Sequence, residues 1–441
     1  MSRLTPRRIL VGAWVVFVLF GYPGYMQPDG LDELVDSRTG VITDWHSPML
    51  TELWRVLGRV IVGPAPLFLL QGTMLLLGAS ALARRILPER RAALAAAAIL
   101  LFPPLISTTV LVSEDATLTG FLVCGAALLL ANRRLMGLAM LVVAAGLQEG
   151  AALAVLPIMI ATLRWPTVTT RWKSLVTAVV AWGVVTGLAF GLVQLLIDEP
   201  THRREAALAM VDIAGTLATS RHLEDPTIRH MLPGVSFAVA TELQQHARKA
   251  SHSSPDAGAN RVFEAPTTRS ERDGLIEGRE AISHALPLAY LGVRVKVFGR
   301  VLGFSRDKRW RTWNKDFVPS PKQRLGIAHA AHHSLIQRIL SWPVKLVSKT
   351  LLFRPYVYFF LGLVLLPVAC IRRTGLAAML LMSGLVYELT LGVVTAAPEY
   401  RDSHWMMVAT CFAALLVALE VRNKRVEQQA PLVVTENDRR S

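Results

Sequence analysis

Long uncharged apolar runs constrain this chain first. The segment from Leu67 to Ala83 carries no charged side chain, and comparable runs recur, several of them long enough to cross about 30 Å of hydrocarbon. Inside a bilayer each backbone N–H and C=O must find a partner within the protein, so only helices and closed barrels span it. The runs are continuously apolar rather than alternating, which selects helices over barrel strands. With 441 residues, 52% hydrophobic and 18% charged, the sequence describes an all-α polytopic membrane protein.

Ten candidate spans follow, at roughly 9–27, 64–83, 92–110, 115–131, 135–147, 150–164, 174–197, 353–371, 375–395 and 404–421. The pair 135–147 and 150–164 is short for two crossings, and one bent helix is the alternative. Charge separates the two readings. With a cytoplasmic N-terminus and ten crossings, the inward turns hold Arg84, Arg85, Arg90 and Arg91, then Arg133 and Arg134, then Arg164, Arg171 and Lys173, then Arg372 and Arg373, then Arg422, Lys424 and Arg425. Every inward turn is then basic, as the positive-inside rule asks, and both termini are cytoplasmic. The short outward connections hold Asp29, Asp32, Glu33, Asp36 and Asp44, then Glu114 and Asp115, then Glu149, then Glu399, Arg401 and Asp402. The acidic residues therefore collect on one face.

The expected organisation is a transmembrane module over 1–197 with acidic outward loops, an extracytoplasmic or interfacial domain over 198–352, C-terminal transmembrane helices over 353–421, and a cytoplasmic tail over 422–441. Long loops translocate regardless of charge, so the basic middle segment fits this topology. Within it, 251–260 reads as a flexible loop, and the apolar stretch Leu286–Phe304, interrupted by Arg294, Lys296 and Arg300, reads as an in-plane interfacial helix. The run Arg306–Trp313 mixes cations and tryptophans, which suits anionic membrane lipids better than nucleic acid, against the default of a merely solvated face. Cys124, Cys370 and Cys411 lie in or at the ends of apolar runs and suggest neither a disulfide framework nor a thiolate metal site. His329, His332 and His333 lack a matching carboxylate or thiolate pattern and read as a polar face. The N-terminus, with Arg3, Arg7 and Arg8 before an apolar core, reads as a retained signal anchor of a bacterial inner-membrane protein.

Chemistry is expected where carboxylates meet aromatics at the membrane edge. Asp29, between Pro28 and Gly30, is the first candidate for a general base acting on an acceptor hydroxyl. Tyr22 and Tyr25 are candidates to frame its pocket. The competing reading makes Asp29 or Asp32 a helix N-cap. Glu114 and Asp115 could hold a divalent cation against an anionic substrate; alternatively, Ser113 or Asp115 caps the helix that follows. Asp44 and His46, in Asp44-Trp45-His46-Ser47-Pro48, are candidate substrate contacts, His46 against the alternative of hydrogen-bonded packing. Arg401 is placed to fork onto a lipid-linked phosphate, or else to pair with Glu399 or Asp402.

The ordered set of Asp29 in an acidic first outward loop, Asp44-Trp45-His46-Ser47-Pro48, Glu114-Asp115 and the late Tyr400-Arg401 resembles the GT-C class of membrane glycosyltransferases. Protein O-mannosyltransferases and polyprenyl-phosphate-sugar transferases belong to that class, and His284–Leu291 is similar to uncharacterised bacterial members. The resemblance implies Asp29 as general base, Glu114 and Asp115 as organisers of donor phosphate or of a Mg or Mn ion, His46 lining the site, Arg401 on phosphate, and a polyprenyl-phosphate sugar as donor. Three positions depart from the pattern: Ser47 precedes Pro48 where two prolines are usual, Asp402 replaces an aromatic, and Gln148-Glu149-Gly150 replaces a turn with Arg and Asn.

The function expected is transfer of a sugar from a polyprenyl-phosphate carrier to an envelope glycan, lipid or protein on the extracytoplasmic face. A flippase of lipid-linked saccharides is the rival, and it requires ionisable residues buried mid-span. A non-catalytic assembly protein using 198–352 to bind partners is the third reading.

Overall fold

The computed structural model describes residues 5–163, 171–219, 266, 268–304, 334–372 and 374–429. The loop 251–260, the run Arg306–Trp313, His329, His332 and His333, and the end of the C-terminal tail lie outside the described residues. Those described form helices and no strands.

Each of the ten candidate spans contains an apolar helix. The first, α1 (Pro6–Gly21), starts with Thr5 accepting from the Arg8 amide and Pro6 in its first turn. It ends earlier than the expected 27, because Tyr22-Pro23-Gly24 turns the chain, with Gly24 at φ 114°. Tyr25 then pairs its backbone with Val110 and Val112, at 2.9 Å each. Two short helices follow, α2 (Pro28–Thr39) and α3 (Pro48–Gly58), each with proline in its first turn and so without a lost helical N–H. Next come α4 (Ala65–Ala83), α5 (Glu89–Leu101), α6 (Pro103–Thr109), α7 (Glu114–Leu130), α8 (Arg134–Leu147), α9 (Ala151–Thr162) and α10 (Arg171–Leu196). Pro103 and Pro104 bend the chain by 68° between α5 and α6. The segments 135–147 and 150–164 are two helices, α8 and α9, separated at Gln148–Gly150.

Among the described residues four helices, Ala65–Ala83, Trp172–Leu196, Gly375–Val394 and Tyr400–Leu419, are long and apolar enough to cross a membrane, and the bent α5–α6 pair makes up to five. This identifies a multi-pass membrane protein. The expected count of ten is not established, since α8, α9 and Pro355–Ile371 are shorter apolar helices. Along α10, Val180, Val184, Leu188, Phe190 and Leu195 face outward, a surface suited to lipid.

The middle segment supplies α11 (Arg203–Thr219), α12 (Arg269–Ala285), α13 (Pro287–Val301) and α14 (Leu335–Val347). Arg294 does not interrupt an in-plane face as expected. It is buried and pairs with Asp212 of α11, while its Nη1 donates to the Thr395 carbonyl at 2.9 Å. Arg279 of α12 binds the same Asp212 carboxylate at 2.8 Å. A buried carboxylate is tolerable only with such partners, and here it joins α11, α12 and α13.

The chain closes with α15 (Pro355–Ile371), α16 (Gly375–Val394), a 3-10 turn (Tyr400–Ser403) and α17 (His404–Gln429). Close packing of α4, α7 and α8 on one side, and of α9, α16 and α17 on the other, forms the core. Small residues permit the approach: a Cβ on Gly78 would lie 2.9 Å from Val123 Cγ1, and one on Gly384 2.9 Å from Ala409 Cβ. Buried polar groups fix the loops between helices. Gln71 Nε2 donates to the carbonyls of Thr109 and Leu111, at 2.6 and 2.9 Å. His404 Nδ1 lies 2.6 Å from the Thr108 hydroxyl.

Candidate active site

The four short connections expected on one face converge on a single cleft of about 510 Å³. Asp29 and Glu33 come from α2, Trp45 and His46 from the loop before α3, Ser113, Glu114 and Asp115 from the start of α7, and Gln148 and Glu149 from the α8–α9 turn. The end of α16 and the following turn add Glu399, Arg401 and Asp402, and α11 closes a wall with Arg204, Leu208 and Val211.

Local sequence explains each placement. The N-cap of α2 is Gln27, which makes no side-chain cap, so Asp29 and Asp32 both lie inside the helix and neither is its N-cap. The Asp29 carboxylate reaches instead to Arg401, with Nη2 3.3 Å from Oδ2. Ser113 caps α7 by accepting from the Ala116 amide. That settles which residue caps this helix and leaves the carboxyl groups of Glu114 and Asp115 for the cleft. Ser47, the departure from the two-proline pattern, caps α3 by accepting from Leu50 N.

Arg401 is the electrostatic hub. Its Nε lies 3.1 Å from Glu399 Oε2 and 3.9 Å from Asp115 Oδ2, in addition to the Asp29 contact. Asp402 is bound elsewhere, its Oδ2 accepting from the Glu399 amide at 2.9 Å, which locks the 3-10 turn. The Tyr387 hydroxyl lies between Asp115 Oδ1, at 3.3 Å, and Gln148 Oε1, two acceptors for its single proton. Gln148, at a position that departs from the class pattern, thus shares the Tyr387 hydroxyl with Asp115.

Burial lowers the His46 imidazole below its ordinary value against the pull of Asp36, Asp29 and Asp32. Its Nε2 has no hydrogen-bond partner among the described residues, and Trp45 packs edge-on with ring centroids 6.0 Å apart.

Two expected contacts are placed away from the cleft wall. Tyr25 is 2% exposed, its hydroxyl donates to the Phe20 carbonyl at 3.2 Å, and its backbone pairing draws it into the core. Asp44 accepts from the amides of Thr201 and His202, at 2.8 and 2.6 Å, and from the Thr201 hydroxyl. These bonds outweigh burial and hold its carboxyl below the usual range.

Two cleft residues had no site role in the sequence reading. Glu33 follows Asp29 by one helical turn, a spacing that puts both on one face of α2. It is 4% exposed and its Oε1 lacks a hydrogen-bond partner among the described residues. Burial, with the like charge of Glu114, pushes its carboxyl well above the ordinary value. Arg204 belongs to the middle segment, and no local pattern ties it to residues so distant in the chain. Its Nε lies 3.9 Å from Glu149 Oε1; burial alone would lower its pKa, but Glu114, Glu149 and Asp115 push it above the ordinary value.

No grouping of three or more His, Cys, Asp or Glu side chains suited to a metal ion occurs among the described residues. What the cleft offers is an exposed carboxylate, Asp29, beside a guanidinium, with further acidic side chains and a second arginine, Arg204, around them.

No family model and no curated protein matches the chain. Among solved structures it is similar to the oligosaccharyltransferase of Archaeoglobus fulgidus in its apo form, at 14% identity and TM-score 0.36, covering 97% of this chain and 52% of that one. It is also similar to ArnT of Cupriavidus metallidurans bound to undecaprenyl phosphate, at 15% identity and TM-score 0.34, covering 91% of this chain and 76% of that one. The chain thus spans about half the length of the oligosaccharyltransferase. At TM-scores this low the likeness decides nothing, and the functional argument rests on the residues of the cleft.

Proposed function

We propose that the cleft transfers a sugar from a polyprenyl-phosphate donor to an acceptor hydroxyl on the extracytoplasmic face of a bacterial inner membrane. The observation that carries this is the contact of Arg401 with Asp29 inside a cleft built from all four acidic connections. A guanidinium presents a fork that matches phosphate oxygens. When the donor phosphate engages Arg401, it competes with Asp29 for the same cation and releases that carboxylate towards the acceptor.

The acceptor oxygen then attacks the anomeric carbon as the bond from that carbon to the phosphate oxygen breaks. Asp29 takes the hydroxyl proton, and the polyprenyl phosphate leaves with its extra negative charge facing Arg401. Single displacement inverts the anomeric configuration. Asp115, beside the Tyr387 hydroxyl, holds Arg401 from behind, and the unpartnered Nε2 of His46 offers a hydrogen bond to sugar or phosphate. The acceptor, an envelope glycan, lipid or protein, enters through the open side of the cleft.

Mass spectrometry of lipid-linked intermediates in a strain lacking the protein tests this reading. One polyprenyl-phosphate sugar is expected to accumulate while one envelope glycan loses the corresponding residue. Unchanged intermediates with intact glycans, together with loss of a protein complex, would instead mark an assembly protein.

A further inference from the structure

The carboxylate of Asp44 and the N-terminus of α11 form a junction that a substrate-contact role for Asp44 does not explain. Asp44 receives three hydrogen bonds from Thr201 and His202. Four residues away in the partner strand of chain, Asp198 answers reciprocally: its Oδ2 accepts from Ile42 N at 2.9 Å, and its own amide donates to the Ile42 carbonyl at 2.9 Å. Two loops more than 150 residues apart in sequence are thus locked by two carboxylates, each accepting from the other loop's backbone.

The junction holds a strained residue. His202 adopts φ 52°, a left-handed conformation that a side chain with Cβ disfavours. Such strain persists where surrounding bonds over-determine it, and the Asp44 carboxylate supplies those bonds at His202 itself. The turn sends the chain directly into α11, and two residues on stands Arg204, lining the same cleft as Arg401. Asp212, Arg279 and Arg294 secure the helix further along, so α11 is seated at both its start and its middle.

Resting on the reading of the cleft as a donor-phosphate site, we infer that Asp44 is a positioning residue that seats α11 and thereby aims Arg204 as a second cationic contact for the anionic head of the donor. Asp44 acts through Arg204 and touches no substrate itself. An asparagine in its place keeps one acceptor oxygen and turns an N–H towards a backbone N–H, which breaks the clamp while changing little volume. Glycine at 202 takes the left-handed conformation without the Cβ penalty, so it should form the turn with a weaker clamp.

The test uses the full chain in nanodiscs with undecaprenyl phosphate as probe, and hydrogen exchange of the α11 amides as a substrate-independent measure. Asp44→Asn and Arg204→Ala should each weaken probe binding about ten-fold, a change equivalent to one or two ordinary hydrogen bonds. The double variant should bind no worse than Arg204→Ala alone, because both remove the same contact. Asp44→Asn should also speed exchange at the start of α11, and adding His202→Gly should restore both exchange and binding. Additive losses, or Asp44→Asn binding like the unsubstituted chain, would overturn the inference. If the unsubstituted chain does not bind the probe, the phosphate reading of the cleft fails; unchanged α11 exchange in Asp44→Asn then overturns the positioning role as well, and faster exchange reversed by His202→Gly upholds the seating of α11.

Discussion

Nη2 of Arg401 lies 3.3 Å from Oδ2 of Asp29, joining residues 372 positions apart at the mouth of one cleft. Asp29 is largely exposed, so water screens the pair and its worth to stability is small. On the proposed reading its value lies in chemistry, since one cation then serves Asp29 and the donor phosphate in turn.

Arg401→Lys separates the roles of charge and shape. Lysine keeps the positive charge beside Asp115 and Glu399, so the protein should insert and fold. It lacks the planar fork, and undecaprenyl phosphate should bind roughly ten-fold more weakly, a loss of about one good charge-assisted hydrogen bond. Arg401→Gln should be less stable than Arg401→Lys, because it leaves the buried Asp115 carboxylate without its cation. Binding titrations paired with thermal unfolding in the same detergent check both expectations.

Glu33 gives the protein a pH signature. Burial raises its folded-state pKa above the ordinary value that the unfolded chain shows. Between those two values the folded chain holds a proton that the unfolded chain has released. Stability linked to Glu33 is therefore present at low pH and declines as pH rises from the ordinary carboxylate range through the raised folded value. Glu33→Gln should flatten that decline. A Tm-against-pH series in which both proteins lose stability equally over the window would show that Glu33 is not the group responsible.

Gln71 ties the core to the cleft. Its amide satisfies the carbonyls of Thr109 and Leu111, just before Ser113, Glu114 and Asp115. Gln71→Leu buries both carbonyls unpaired and should cost about 2–4 kcal/mol, with a Tm lowered by several degrees. Cleft binding should weaken with it, although Gln71 does not line the cleft, because the Val112–Asp115 segment loses its anchor.

The class of fold was legible because apolar length is a local property. Every candidate span contains a helix, and the errors fall where a few residues decide: Tyr22-Pro23-Gly24 stops α1 early, and a buried ion cluster draws Arg294 inward. The face shared by the acidic connections was legible from charge alone, and the cleft draws on each of them. The roles of Tyr25 and Asp44 were not legible. Both sit in a loop of site-like composition, but backbone pairing with Val110 takes one into the core, and the amides of Thr201 and His202 take the carboxylate of the other. Glu33 was readable from its helical spacing to Asp29, whereas Arg204 reaches the cleft only through tertiary packing of α11.

The most direct test of the account is a single substitution, Asp29→Asn, expressed in a strain lacking the protein. The amide preserves size and polarity but cannot take the acceptor's proton. The variant should reach the membrane in normal amount, fail to restore the envelope glycan, and leave the same polyprenyl-phosphate sugar accumulated, by mass spectrometry, as in the strain without the protein. Full restoration of the glycan by Asp29→Asn, with no accumulated donor, would contradict the assignment of Asp29 and of the cleft as the site of transfer.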